Sequence, residues 1–75
     1  MLYYTNMASK QELAFRKELS KKLTEARKKL DFTQEAVAKK AGMGANYYAR
    51  IERGEITPKG DKLQKLSEAL KVNLL

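Results

Sequence analysis

Apolar residues recur along the first half of the chain at Phe15, Leu19, Leu23, Ala26 and Leu30, at intervals of 4, 4, 3 and 4. That spacing lines one face of an α-helix. The helix opens at "SKQE", a capping box in which Ser9 caps and Glu12 reaches back to the Ser9 backbone N–H. Glu12–Arg16, Glu18–Lys22 and Glu25–Lys29 are i,i+4 pairs in the favourable order. Lys17, Lys21, Lys22 and Lys28 therefore read as a solvated face rather than a binding surface. The residues before Ser9 show no such order, so residues 1–8 are expected to form an N-terminal tail, with Met7 offering an alternative start and Tyr3 and Tyr4 packing locally or not at all.

"DFTQ" interrupts the stripe. Thr33 is a good N-cap, and Gln34 and Glu35 fill the first turn of a second helix running to about Ala41. Val37, Ala38 and Ala41 form its inner edge, and Gly42 suits a left-handed stop. Only Met43 and Gly44 separate it from a third helix, Ala45 to about Arg53, closed by Gly54. "EITPKG" is a loop in which Pro58 forbids helix. A fourth helix is predicted from roughly Asp61 to Lys71, with Leu63, Leu66 and Leu70 on one face, and "VNLL" offers the start of a fifth turn. The pattern predicts an all-α fold, four to five short helices around one core, with residues 9–75 as the folded domain.

Composition narrows the function. The 75 residues contain no cysteine and no histidine. A disulfide framework is excluded, only carboxylates are left for a metal so a zinc staple is not expected, and no metal or other cofactor is implied. Chemistry would rest on carboxylates, lysines and tyrosines, and no pair of these is spaced for acid–base work, so an enzyme is not expected. No apolar run approaches the roughly 18–20 residues of a membrane span. The start, "MLYYTNMASK", lacks the basic-then-apolar order of a secretion signal. The cytoplasm is the expected compartment. Sixteen Lys and Arg against nine Asp and Glu give a net charge of +7. Such an excess favours polyanions as partners, although solubility alone also explains it.

Two short helices joined through Gly42-Met43-Gly44 have the geometry of a helix-turn-helix. Within "FTQEAVAKKAGMGANYYARIERGEITPKGDKLQKLSEALKV", a small residue at Ala38 is followed by the turn glycine Gly42. Apolar positions at Met43, Tyr48 and Ile51 come next, and the helix ends in "IERG". In that order these features resemble the lambda-repressor/Cro-like, or XRE, family of DNA-binding domains, over roughly residues 13–75. Each feature also has a physical reason. Ala38 must be small where the third helix crosses, and Gly42 takes a backbone conformation that strains other residues. Met43 and Ile51 fill the wedge between the helices. Tyr48 stands where the family carries Val or Ile, so its ring is expected inside with its hydroxyl at the rim.

The resemblance implies that the third helix enters the major groove with Ala45, Asn46 and Arg50 meeting base edges. Arg matches the O6 and N7 acceptors of guanine, Asn matches the adenine edge, and Ala45 can offer only a methyl contact. Tyr47 is expected on the outward face, where its hydroxyl meets phosphate or sugar. Gln34, with the free N–H groups at the start of its helix, is expected on a phosphate. Arg53 and Lys59 are the next phosphate candidates, with Thr33 beside them. Arg27 and Glu52 stand at positions that the family pairs, and are read as a largely buried ion pair holding the third helix to the first. Two departures are visible. Gly44 replaces the usual Ser or Thr cap, and Lys59-Gly60 moves the expected start of the fourth helix to near Asp61.

The function implied is sequence-specific binding of double-stranded DNA by a transcriptional regulator, a repressor acting by occupancy. A homodimer on DNA is the family's common arrangement. Its members often pair through the final helix and the segment after it, of which little precedes Leu75, so the oligomeric state stays open. No small-molecule ligand is evident. Two other readings are compatible with the residues. One is an antitoxin or restriction–modification controller that binds its own promoter. The other is a protein–protein interaction module whose basic charge serves solubility.

Overall fold

The computed structural model describes residues 8–74. Among them are four helices: α1 (Lys10–Lys29), α2 (Gln34–Lys40), α3 (Ala45–Glu52) and α4 (Gly60–Leu70). The tail expected over residues 1–8, with Tyr3, Tyr4 and Met7, lies outside the described residues except for Ala8, and Leu75 lies outside them too.

Helix starts follow the caps. Ser9 Oγ accepts the Glu12 N–H at 3.0 Å and Thr33 Oγ1 accepts the Ala36 N–H at 3.0 Å. The other half of the expected capping box does not form. The Glu12 carboxylate instead accepts from Arg16 Nη2 at 3.5 Å and from the Thr57 hydroxyl at 2.9 Å, because a partner on the α3–α4 loop outcompetes a solvated backbone N–H. Of the three α1 charge pairs, Glu12–Arg16 closes, whereas Glu18–Lys22 and Glu25–Lys29 do not pair among the described residues.

Helix ends share one device. After α1, α2 and α3 the chain turns left-handed at Asp31 (φ 60°), Gly42 (φ 70°) and Gly54 (φ 74°). The next N–H then bonds back into the last turn: Phe32 to the Arg27 carbonyl at 3.0 Å, Met43 to Ala38 at 2.9 Å, Glu55 to Arg50 at 2.9 Å. These Schellman-type closures satisfy carbonyls that would otherwise lack donors. Helix α4 ends on a left-handed Lys71 (φ 54°), with the Val72 N–H on the Ser67 carbonyl at 3.1 Å. That reversal replaces the possible fifth turn and brings Leu74 into the core, 3% exposed. The fourth helix begins at Gly60, one residue before the expected Asp61, because the Lys59 carbonyl already accepts the Lys62 and Leu63 N–H groups.

The core gathers Leu19 and Leu23 of α1, Val37 and Ala38 of α2, and Tyr48 and Ile51 of α3. Leu63, Leu66 and Leu70 of α4 complete it, together with Ala41 and Leu74. Leu30, the last member of the α1 stripe, is 39% exposed, since α1 ends before it. Both α1 and α2 pack against α3 and α4. Helix α3 is thereby clamped on its inner side, and its outer side is left to solvent.

Candidate nucleic-acid interface

The turn between α2 and α3 depends on Gly42. A Cβ built there meets no atom within 4 Å, so the demand for glycine comes from its φ of +70° rather than from lack of space. Ala38, 1% exposed, lies in the core where α2 meets α3, and Met43 packs partly buried beside it. Gly44 takes the N-cap of α3 with no side-chain hydrogen bond.

At about 100° per residue, Tyr48, Ile51 and Glu52 cluster on one side of α3, and Asn46, Arg50 and Arg53 cluster on the other. The first three are buried, whereas Ala45, Asn46, Arg50 and Arg53 are exposed. The buried side contains a carboxylate, which needs compensation. Glu52 receives it in full. Arg27 donates from Nε to Oε2 at 2.6 Å and from Nη2 to Oε1 at 3.2 Å, Gln34 Nε2 donates to Oε1 at 3.0 Å, and the Tyr48 hydroxyl donates to Oε2. Arg27 Nη1 also donates to the Phe32 carbonyl at 3.0 Å, and the Ser20 hydroxyl donates to the Glu52 carbonyl. One carboxylate thus ties α1 and the head of α2 to α3, and Arg27 extends the network to the α1–α2 turn.

Burial alone would push the Glu52 carboxyl up. The hydrogen bonds from Arg27, Tyr48 and Gln34 outweigh it and hold the group below its ordinary value. Arg27 is pushed up, chiefly by its hydrogen bonds to Glu52. Tyr48 is pushed up by burial first and by its bond to Glu52 second, so its phenol stays neutral.

Three expectations change in this light. The Tyr48 hydroxyl does not reach the rim: the residue is fully buried and its O–H turns inward to Glu52, the acceptor one helical turn away. Gln34, read as a phosphate ligand, already spends an amide N–H on Glu52 and is half-buried. Tyr47, expected on the outward face, packs partly against the core. It lines a shallow depression with Gly42, Met43, Gly44, Lys59 and Lys62. Its hydroxyl makes no hydrogen bond among the described residues. Lys59 and Thr33 are both exposed, Thr33 with its Oγ1 engaged as the α2 cap.

Sequence reasoning missed two residues. Lys62 joins Tyr47 and Lys59 at the depression, from the first turn of α4. Glu55 accepts from Arg50 Nε at 3.3 Å, from Arg53 Nε at 2.6 Å and from Arg53 Nη2 at 3.3 Å. Its carboxyl is held below the ordinary range, mainly by the Arg53 hydrogen bonds. The signal was present as a lone acid directly after the helix-closing Gly54, where a left-handed turn folds the next residue back over the helix end. Among the described residues, no acidic cluster is placed to hold a metal ion, and no helix is long and apolar enough to cross a membrane.

A tight turn joining two short helices, with the second helix buried on one side and polar and cationic on the other, defines a helix-turn-helix DNA-binding domain. The family model described as Helix-turn-helix (HTH_3) matches residues 23–75. The chain belongs to this XRE, or lambda-repressor-like, family, whose domain binds DNA and is not catalytic. No curated protein and no solved structure matches the chain.

Proposed function

We propose that the chain is a sequence-specific, double-stranded DNA-binding transcriptional repressor that reads the major groove with α3 and acts by occupying a promoter. The observation that carries this reading is the division of α3. Tyr48, Ile51 and Glu52 are committed to the interior, whereas Ala45, Asn46, Arg50 and Arg53 stay exposed. In the groove, Arg50 and Asn46 offer forks suited to guanine and adenine edges, and Ala45 a methyl contact. Tyr47, Arg53 and Lys59, with Thr33 and Gln34 at the head of α2, take the sugar–phosphate backbone and set the register. Gln34 does so with whatever donor capacity Glu52 leaves it. The chain acts in the cytoplasm, at the nucleoid. Two copies on a palindrome would place their α3 helices about one helical turn, roughly 34 Å, apart.

Selection of bound sequences from a random duplex pool tests the proposal. A defined motif of a few base pairs is expected, repeated with dyad symmetry if two copies bind. Recovery of unselected sequence would contradict specificity. Failure to retain duplex at low salt would favour the protein–protein module instead.

A further inference from the structure

Both arginines of the α3 outer face share a single carboxylate, and they share it unequally. Arg53 turns Nε and Nη2 onto Glu55, at 2.6 and 3.3 Å, so one edge of its guanidinium is closed. Arg50 gives Glu55 only its Nε, at 3.3 Å, and its two Nη groups make no hydrogen bond or ion pair among the described residues. Those Nη groups form the donor fork that matches guanine O6 and N7.

Glu55 is not a drifting surface acid. Its N–H is fixed to the Arg50 carbonyl at 2.9 Å after the left-handed Gly54. Two residues on, the Thr57 hydroxyl is tied to α1, accepting from Arg16 Nε at 2.7 Å and donating to Glu12 at 2.9 Å. The backbone is therefore held on both sides of the carboxylate. The side chains themselves are open to solvent, with Arg50, Arg53 and Glu55 at 53%, 56% and 43% exposure. Each pair is individually weak, so a nucleic acid can compete for it.

We infer that Glu55 is a specificity-determining positioning residue: it buttresses Arg50 with the guanine-matching fork outward and holds Arg53 off phosphate on random duplex, yielding it to the backbone only where Arg50 has docked on a chosen site. The inference rests on the DNA-binding reading above. Its logic is that of selectivity by disfavouring the wrong partner. Random duplex gains from any freed arginine, because phosphates are everywhere. A chosen site gains only if Arg50 is correctly aimed. Removing the carboxylate therefore acts in opposite directions on the two: Arg53 is released to phosphate, and Arg50 loses its support.

The test compares wild type, Glu55→Gln and Glu18→Gln, each binding the selected duplex and a scrambled duplex across a salt series. Glu18→Gln makes the same charge change at an exposed α1 position that pairs with neither Arg50 nor Arg53. For Glu55→Gln, affinity for scrambled duplex is expected to rise, with its log–log salt slope steeper by about 0.9 for one added phosphate contact. Affinity for the selected site is expected not to rise, so the specificity ratio falls by about tenfold, near the low end of what one bidentate pair supplies. Glu18→Gln is expected to leave that ratio unchanged. Equal gains on both duplexes in Glu55→Gln, matching Glu18→Gln, would reduce Glu55 to a bulk charge and overturn the inference while leaving the DNA-binding reading intact. If wild type itself shows no preference between the duplexes, the functional reading fails first and this inference falls with it.

Discussion

Removing Arg27 leaves Glu52 as a charge without a counter-charge in a site where its side chain is 5% exposed. Arg27→Met retains most of the aliphatic bulk and deletes two of the four side-chain hydrogen bonds to that carboxylate, along with the bond to Phe32. Breaking a buried pair from one side typically costs about 3–5 kcal/mol. Arg27 is itself 17% exposed, so some water reaches the site. A loss of about 2–4 kcal/mol is therefore expected, set against a total of about 4–11 kcal/mol for a domain of this length. The triple variant Arg27→Met/Glu52→Leu/Tyr48→Phe removes both charges and the hydroxyl that depends on them. It is expected to recover to within about 1–2 kcal/mol of wild type, since apolar replacement of a buried ion pair is often close to neutral and the half-buried Gln34 amide can turn to water.

Urea unfolding followed by circular dichroism measures both variants, and pH adds a signed check. In wild type, Glu52 is held below its ordinary 4.5, so the stability it contributes is present above that pH and is lost as pH falls through its folded value. In Arg27→Met the Arg27 hydrogen bonds that hold the carboxyl down are gone and burial dominates, so protonation of Glu52 favours the folded state. The gap between wild type and Arg27→Met is thus expected to narrow as pH drops below about 5. A single-variant loss under about 1 kcal/mol would refute the role of this pair in holding α3, as would a triple variant no better than the single. So would a gap that does not change with pH.

Three further outcomes are expected. Arg50→Ala is expected to weaken the selected site by about 1–3 kcal/mol and to relax preference at one base pair, read by fluorescence anisotropy on single-position duplex variants. Lys59→Ala is expected to weaken all sequences nearly alike and to reduce the salt slope by about 0.9. If Lys59→Ala instead altered base preference, its assignment to the backbone would be wrong. Gly42→Ala is expected to cost about 1 kcal/mol in urea unfolding, from the left-handed φ alone, because the added methyl meets nothing.

The fold was largely legible because local rules carry it. Ser9 and Thr33 cap where cap-forming residues precede an apolar period, and Gly42 and Gly54 stop helices where glycine alone turns left without strain. Asp31 and Lys71 do the same work without that signature. A non-glycine left-handed residue is stabilised by the tertiary position of the next segment, which periodicity does not report. Leu74 was hidden for the same reason: its burial depends on the reversal at Lys71. At the site, the two faces of α3 were readable from helical period. Contacts between elements distant in sequence were readable only where the family resemblance named both partners, as for Arg27 and Glu52. The engagement of Gln34 with Glu52 had no such signal, nor did that of Glu12 with Thr57. Each depends on which side chains the closed fold leaves within reach of an unsatisfied oxygen.

The most direct test of DNA recognition by α3 is a titration of the isotopically labelled chain with duplex DNA at low ionic strength, monitored through backbone amide shifts. Changes are expected to concentrate at Ala45–Arg53, the head of α2 and Lys59, and to diminish as salt is added. Amide positions in α3 that stay fixed, or changes confined to the exposed lysine face of α1, would contradict it.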